Sequence, residues 1–485
     1  MNLNNLFSDT RRKNSTKKDG GSPDRNGSKE ARTEIERDYD RILFSTPVRR
    51  LADKTQVFPL DKNDSVRNRL THSHEVSNLA RSIGTALVIS NKKIFSDDNC
   101  IRNIPALLAT VGLIHDLGNP PFGHQGEAAI RTWFKKNKSM FKMDEKYLND
   151  FINFDGNAQT IRLSTRLQLI NDGYGLDLTY ATLASMMKYT VSSSEINKEI
   201  CCQKKHGFFQ FDKTKCKEIL EHVGLRLGLR HPMAYIMEAC DDIAYASIDI
   251  EDCVKKGLAS FNDVVEYLER ENASGDELVS KVVKSSREKY KEYADYGLSP
   301  FEHDDISTQR FRVYAIAEMV TAVNEFLCDE ENLNNIFSGG MKNPILESSP
   351  AAELRRLMGK FTKEYAFGNK TVLELELKGY NTITELLNIF WFSISQASSD
   401  DKGVDKKAHP FARYVYSRIS ENYRRVFENP LENEGDLPLD YRRCLLMTDM
   451  ISGMTDNFAF TMLSEFKALM TDETIKLIHD SNKCK

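Results

Sequence analysis

An all-α fold is predicted for this 485-residue chain by three observations. Segments such as VSNLARSIGTALVIS (76–90), AELRRLMGKFTKEYAF (352–367) and NTITELLNIFWFSISQ (381–396) repeat apolar residues at helical spacing. No run alternates apolar and polar residues as a half-buried strand would, and no Asn-Gly turn joins two strand-like runs. No internal repeat occurs at a solenoid period.

Taken in chain order, residues 1–33 read as a flexible basic segment rich in Asn, Ser and Gly. Residues 1–32 hold eight Lys/Arg against four Asp/Glu, so with a total net charge of -4 the remainder carries about -8. Order is expected to begin near Arg37-Asp38-Tyr39-Asp40. A catalytic region then spans 34–260, and a helical C-terminal region sharing its core and the oligomer contacts spans 261–485. Softer stretches are 271–310, 397–409 and 429–438.

Composition bounds the class. Hydrophobic residues make up 40% and charged residues 28%, a soluble globular balance with no global nucleic-acid signature. The nine cysteines are odd in number and include no CxxC. That favours a reducing compartment over a disulfide framework or a cysteine zinc site. The N-terminus lacks an apolar signal region, and no apolar run reaches the ~20 residues needed to span a bilayer. A cytoplasmic location is expected.

Four residues carry the chemistry: His72, His115, Asp116 and Asp241. Mixed imidazole and carboxylate sets hold divalent metals with positions left open for water and phosphate. Val76, Leu79 and Ile83 follow His72 at +4, +7 and +11, so His72 lies on the inward stripe of its helix. His74 is about 200° away around the helix and reads as a solvated bystander. His115-Asp116 closes the apolar segment ALLATVGLI, and Leu-Gly-Asn-Pro-Pro then breaks the helix. Asp241, Tyr245 and Asp249 form one stripe of a helix opened by Pro232. Each feature alone also suits an ordinary satisfied buried polar group. Beyond the break, His124 and Glu127 stand at i, i+3, where the carboxylate can orient the imidazole for acid/base work.

With these residues in place, the chain resembles the HD superfamily of metal phosphohydrolases. Within it, the resemblance is to the bacterial deoxyguanosine triphosphate triphosphohydrolases, or dGTPases. The matching strings are RDYDRILFSTPVRRLADKTQVFPL (37–60), VRNRLTHSHEV (66–76), LIHDLGNPPFGHQGEAAI (113–130), FDGNAQTIRL (154–163), MKYT (187–190), KKHGFF (204–209), IMEACDDIAYASIDIED (236–252) and YRRCLLMTDMISGMTD (441–456). They cover nearly the whole chain from residue 37 to 456. The segment 190–203 departs from the pattern, being shorter and poor in aromatics.

The resemblance implies an HD-type helical core with additional C-terminal helices. It implies hydrolysis of dGTP, or other dNTPs, to deoxynucleoside and inorganic triphosphate by metal-activated water at the α-phosphorus. It further implies a divalent metal (Mn2+, Mg2+ or another transition metal), a homo-oligomer, commonly a hexamer, and in some members regulation by single-stranded DNA. Carried over by residue, His72, His115, Asp116 and Asp241 match the metal ligands, and His124 and Glu127 the catalytic pair. Arg69 matches an α-phosphate contact, and Asn157, Lys188, Tyr189 and Lys205 match phosphate-binding or site-lining positions. Gln56, Val57, Tyr245 and Asp249 match sugar-recognition positions, and Arg424 a contribution from a neighbouring subunit.

The chemistry is coherent. A triphosphate carries about four negative charges near neutrality, and Arg and Lys are its usual partners. Two other readings compete: a different HD phosphohydrolase or phosphodiesterase, and a single-stranded-DNA-binding protein with a silenced site. Basic clusters at Arg49-Arg50, Arg355-Arg356-Lys360 and Arg424-Arg425 suit either a strand-binding groove or plain solvated surface.

Overall fold

The computed structural model describes residues 3–15, 31–58, 66–168, 172–339, 341–398, 403–429 and 437–481. Among these, the fold is all-α, and the only strands are the two-residue pieces Ala397–Ser398 and Gly403–Val404, paired antiparallel. No helix of the described residues is long and apolar enough to cross a membrane.

Local sequence sets where the main helices begin. Asn68 and Thr71 form a reciprocal capping box that starts Arg69–Ser90, satisfying amides that the first turn leaves unpaired. Ser299 with Pro300 starts Pro300–Cys328, and His231 with Pro232 starts Pro232–Lys255. The last of these is the central helix, buried on nearly every face. It packs against Arg69–Ser90, Asp98–Ile114, Pro300–Cys328 and Ala352–Tyr365. Gly112 lets Asp98–Ile114 close on Arg69–Ser90, because a side chain there would meet the Ser77 backbone at 2.8 Å. That approach brings the His115 end of one helix to the His72 end of the other.

The helices beyond residue 260 complete the same core. Trp133 Nε1 donates to Asn388 Oδ1 at 2.7 Å, and Trp133 meets Trp391 edge to face. Arg162 binds Asp449 through two hydrogen bonds of 2.8 and 2.7 Å in a dry setting. Glu277–Tyr293 and Pro300–Cys328 run through the stretch 271–310 that composition marks as soft. The 430–436 part of the expected soft stretch 429–438 lies outside the described residues.

The expectation of a flexible segment over 1–33 is corrected for residues 3–15. Leu6 is fully buried, and Arg11 pairs with Glu34 at 2.8 Å and Asp38 at 2.7 Å. Tyr180 N–H donates to Thr10 O at 2.9 Å. Low-complexity composition hid this docking, since the partners of Arg11 and Thr10, namely Glu34, Asp38 and Tyr180, all lie outside the segment. Residues 16–30 lie outside the described residues. After the short helices Leu3–Leu6 and Arg12–Ser15, the first longer helix is Glu34–Leu43, capped by Thr33, slightly ahead of the expected start near Arg37.

The docked segment reaches the central helix through His231. Its Nε2–H donates to Leu6 O at 3.0 Å, and its Nδ1 accepts from Met233 N–H at 3.2 Å and Ser185 Oγ–H at 3.0 Å. This pattern requires the neutral imidazole. Burial pushes its pKa down to about 4, against a small opposing effect of the Leu6 carbonyl. A histidine whose folded pKa lies below its unfolded value near ~6.5 stabilises the fold above that pH. The stabilisation is lost as pH falls toward 4. Thermal melts of wild type and His231→Gln across this window should therefore converge at the acid end. The wild-type advantage lost should be on the order of 3 kcal/mol, and parallel melts of the two proteins would exclude this linkage.

Candidate active site

Three of the four expected ligands meet in one cluster. Ligand atoms of His72, His115 and Asp241 all lie within 4.8 Å of one another. His72 Nε2 is 3.1 Å and His115 Nε2 3.5 Å from Asp241 Oδ1. Asp116 adjoins them, with its Oδ2 3.6 Å from His115 Nε2. The helix Asp98–Ile114 stops at this point, with His115 as its C-cap residue. His115 Nδ1–H donates to Gly112 O at 2.7 Å, which leaves Nε2 free to face the cluster. Such a tie fixes tautomer and ring orientation for metal ligation. His72 is buried, whereas His74 on the same helix is exposed.

Charge within the cluster is strongly coupled. Burial lowers the His115 pKa, but the Asp116 and Asp241 carboxylates outweigh it and lift it to about 9. Burial raises Asp116, but Arg69 and then His115 bring it down to about 2. Asp241 is held well below the carboxylate range by His115 against its own burial. Asp116 also forms an ion pair with Arg69 and accepts from Asn119 Nδ2 at 2.6 Å. With a divalent cation in place of the proton held at His115 Nε2, two imidazoles and two ionised carboxylates would make a fitting donor set.

Cationic side chains flank the cluster. Lys188 Nζ is 3.5 Å from Asp241 Oδ2 and 3.6 Å from Glu238 Oε1. Lys205 Nζ is 2.6 Å from Asp155 Oδ2. Asp155 also caps Gly156–Arg162 and accepts from Asn157 Nδ2 at 2.7 Å. Tyr189 is buried, with Lys205 and Arg230 near its ring at 5.9 and 6.0 Å. The divergent segment 190–203 folds back on itself. Thr190 N–H bonds Cys202 O at 3.1 Å and Gly207 N–H bonds Val191 O at 3.0 Å, and this hairpin delivers Lys205 to Asp155.

Past the helix break, Phe122 takes the left-handed conformation at φ 60° and Gly123–Lys136 begins. Gly379 of Lys370–Ile394 packs on Phe122, where any larger residue would collide with its ring. His124 Nδ1 is 3.3 Å from Glu127 Oε2. The two differ sharply in setting: the His124 side chain is 81% exposed and that of Glu127 only 4%. Glu127 Oε1 accepts from Gly156 N–H at 2.8 Å, which locks the carboxylate in place.

Near the middle of the central helix, burial and then the Asp249 carboxyl one turn on push the Tyr245 hydroxyl above its ordinary range. Burial, and then Asp252, push the Asp249 carboxyl well above its usual range. Asp249 Oδ2 and Gln56 Oε1 are both buried without a hydrogen-bond partner in the protein. Val57 is buried next to Gln56 in the chain.

No protein-family profile matches this sequence. Curated relatives do. The chain is 34% identical over 483 residues to the deoxyguanosinetriphosphate triphosphohydrolase-like protein of Listeria innocua, covering 97% of this chain and 100% of that protein. The counterpart in Listeria monocytogenes is 33% identical over 482 residues, with 97% and 100% covered. The deoxyguanosinetriphosphate triphosphohydrolase of Yersinia pseudotuberculosis is 31% identical over 495 residues, covering 90% of this chain and 94% of that one.

The chain belongs to the deoxyguanosinetriphosphate triphosphohydrolase family. It is a hydrolase, as the relatives' shared name states.

Within this triphosphohydrolase, Arg424 stands apart from the other expected site residues. It lies on Glu421–Glu428, where Nε donates to Ile419 O at 3.1 Å and the guanidinium sits 5.7 Å from the Tyr416 ring. Three supporting residues fall outside the sequence-predicted set. Asp155 holds Lys205, and Glu238 faces Lys188. Lys54 is buried and donates to Asn119 O at 2.6 Å and Ser452 O at 2.7 Å. Burial, and then Arg69, push the Lys54 amine down to about 7. Glu238 could have been found by extending the Asp241-Tyr245-Asp249 stripe one turn back.

If the cluster is the metal site, Asp241→Ala should lose stoichiometric divalent metal, and His74→Ala should keep it, as measured by elemental analysis of the purified proteins. Metal lost from the His74 variant would contradict the helical placement.

Proposed function

We propose that this protein hydrolyses dGTP to deoxyguanosine and inorganic triphosphate, using Mn2+ or Mg2+ held by His72, His115, Asp116 and Asp241. The observation that carries the reading is the Lys188 ammonium set 3.5 Å from the ligand Asp241. A phosphate-type cation thus abuts the metal cluster in a chain whose relatives are named for this reaction. When bound, the cation supplies positive charge opposite phosphate oxygens and a water whose pKa falls from ~15.7 toward ~7.

The chain's own residues divide the remaining work. Arg69, Lys188 and Lys205 offset triphosphate charge, with Asn157 and Tyr189 lining the site. Attack at the α-phosphorus breaks its bond to the 5′-oxygen and leaves the triphosphate intact. The 5′-alkoxide is a poor leaving group and needs a proton. His124 provides it from Nε2 while Glu127 holds Nδ1. Its exposure lets the imidazole reach bound substrate, and the buried Glu127 sets its direction.

On the sugar side, Tyr245 and Val57 close around the deoxyribose and leave no room for a 2′-hydroxyl. Gln56 and Asp249 read the 3′-hydroxyl. The Asp249 carboxyl, pushed well above its usual range by burial, is suited to meet a hydroxyl as donor and acceptor. A site built around a hydroxyl rejects analogues that lack it.

Each dNTP incubated with Mn2+ or Mg2+ and resolved by anion exchange tests the reading. Triphosphate and deoxyguanosine are expected from dGTP; orthophosphate or pyrophosphate in their place overturns it. His124→Ala should lower kcat by ~10²–10⁴-fold while metal content holds.

A further inference from the structure

We infer that Glu238, held from behind by Arg230, is a positioning residue that aims Lys188 at the triphosphate and preserves its charge for it. The inference rests on the proposed dGTP hydrolysis.

Glu238 lies on the central helix, one turn before Asp241, and is buried. Its Oε1 is 3.6 Å from Lys188 Nζ, and its Oε2 accepts from Arg230 Nη1 at 2.5 Å. Arg230 is fully buried, donates also to Cys201 O at 3.2 Å, and stacks 4.7 Å from the Tyr235 ring. Arg230 is therefore immobile, and Glu238 inherits its fixed position. Lys188 is the opposite kind of group, a point charge on a flexible stem. Its ammonium stands between two carboxylates of one rigid helix, Glu238 and Asp241. Glu238 is the one of the pair outside the metal cluster.

The charge count explains the third member. A lone Glu238–Lys188 pair would be neutral, leaving the ammonium little net attraction for phosphate. Arg230, Glu238 and Lys188 together carry one net positive charge, with Asp241 met separately by His72 and His115. Glu238 can thus fix Lys188 in space without cancelling it. An ordinary buried ion pair would need Arg230 and Glu238 only, and would not place Lys188 beside a metal ligand.

A double-mutant cycle tests this. Glu238→Gln and Lys188→Gln, singly and together, are assayed for kcat and KM with dGTP, for competitive inhibition by inorganic triphosphate, and for metal content. Glu238→Gln should raise KM and the triphosphate inhibition constant about tenfold, the scale of one charge-assisted hydrogen bond. The effect on kcat should be smaller and metal content unchanged. In the Lys188→Gln background, Glu238→Gln should add nothing further. Glu238→Gln alone leaves Arg230 buried and unpaired, which threatens folding. The Arg230→Gln/Glu238→Gln protein removes both charges and should show the same KM rise. Equal effects of Glu238→Gln with and without Lys188, or a native KM in the doubly neutral protein, overturn the inference while dGTP turnover by wild type stands. A wild type that releases no triphosphate overturns the functional reading and this inference with it.

Discussion

The central helix Pro232–Lys255 buries four carboxylates, Glu238, Asp249, Glu251 and Asp252, and half-buries two more, Asp241 and Asp242. Buried carboxylates without partners are too costly to survive. Most of the architecture around this helix answers that constraint. Arg230 and Lys188 meet Glu238, and the two site histidines meet Asp241. Arg355, from the helix Ala352–Tyr365, meets Asp242 at 3.3 Å. Arg67 binds both Glu251 and Asp252 just before the helix that carries His72, and Arg312 of Pro300–Cys328 reaches Glu251 as well. Asp249 differs, its carboxyl being pushed well above the usual range by burial and then by Asp252. The partners come from both sides of residue 260, so the acidic stripe binds the catalytic region and the later helices into one body.

The same compensation shapes the site. Arg69, Lys188 and Lys205 each rest on a carboxylate: Asp116, Glu238 with Asp241, and Asp155. Their charges are thus placed before any anion arrives. A site whose dipoles and charges are already oriented has little reorganisation left to do during reaction. The His124–Glu127 pair follows the same logic, with an exposed imidazole steered by a carboxylate that a backbone amide locks in place.

Much of this was legible in the residue string, and the reason is helical phase. Period 3.6 turned His72 inward and His74 outward, and it lined up Asp241, Tyr245 and Asp249. The all-α class followed from the same periodicity. The resemblance in eight ordered strings supplied the rest of the candidate set, including Lys205, which the divergent 190–203 segment still delivers beside Asp155. Long-range pairing was not legible. Lys54 bonds two backbone carbonyls, one of them 398 positions away, and carbonyls leave no mark in sequence. Arg230 reads as an ordinary basic residue in a Gly-rich loop until its burial is known. The N-terminal stretch misled because composition reports average solvation. It cannot register that Leu6 and Arg11 each find one specific seat.

Lys54 deserves a second reading as a mechanical part. Its ammonium is a rivet through three layers: the Ser452 carbonyl of the late helices, the Asn119 carbonyl of the helix break, and, through the Asn119 amide, the carboxylate of Asp116. The chain is consequently not modular where its length suggests it should be. Cutting it at the apparent boundary, or grafting the late helices of one relative onto the earlier region of another, would pull on Asp116 from outside the cluster. Inheritance must then pass both halves together. The near full-length match to relatives that share only about a third of its residues fits a chain that has diverged as a single unit.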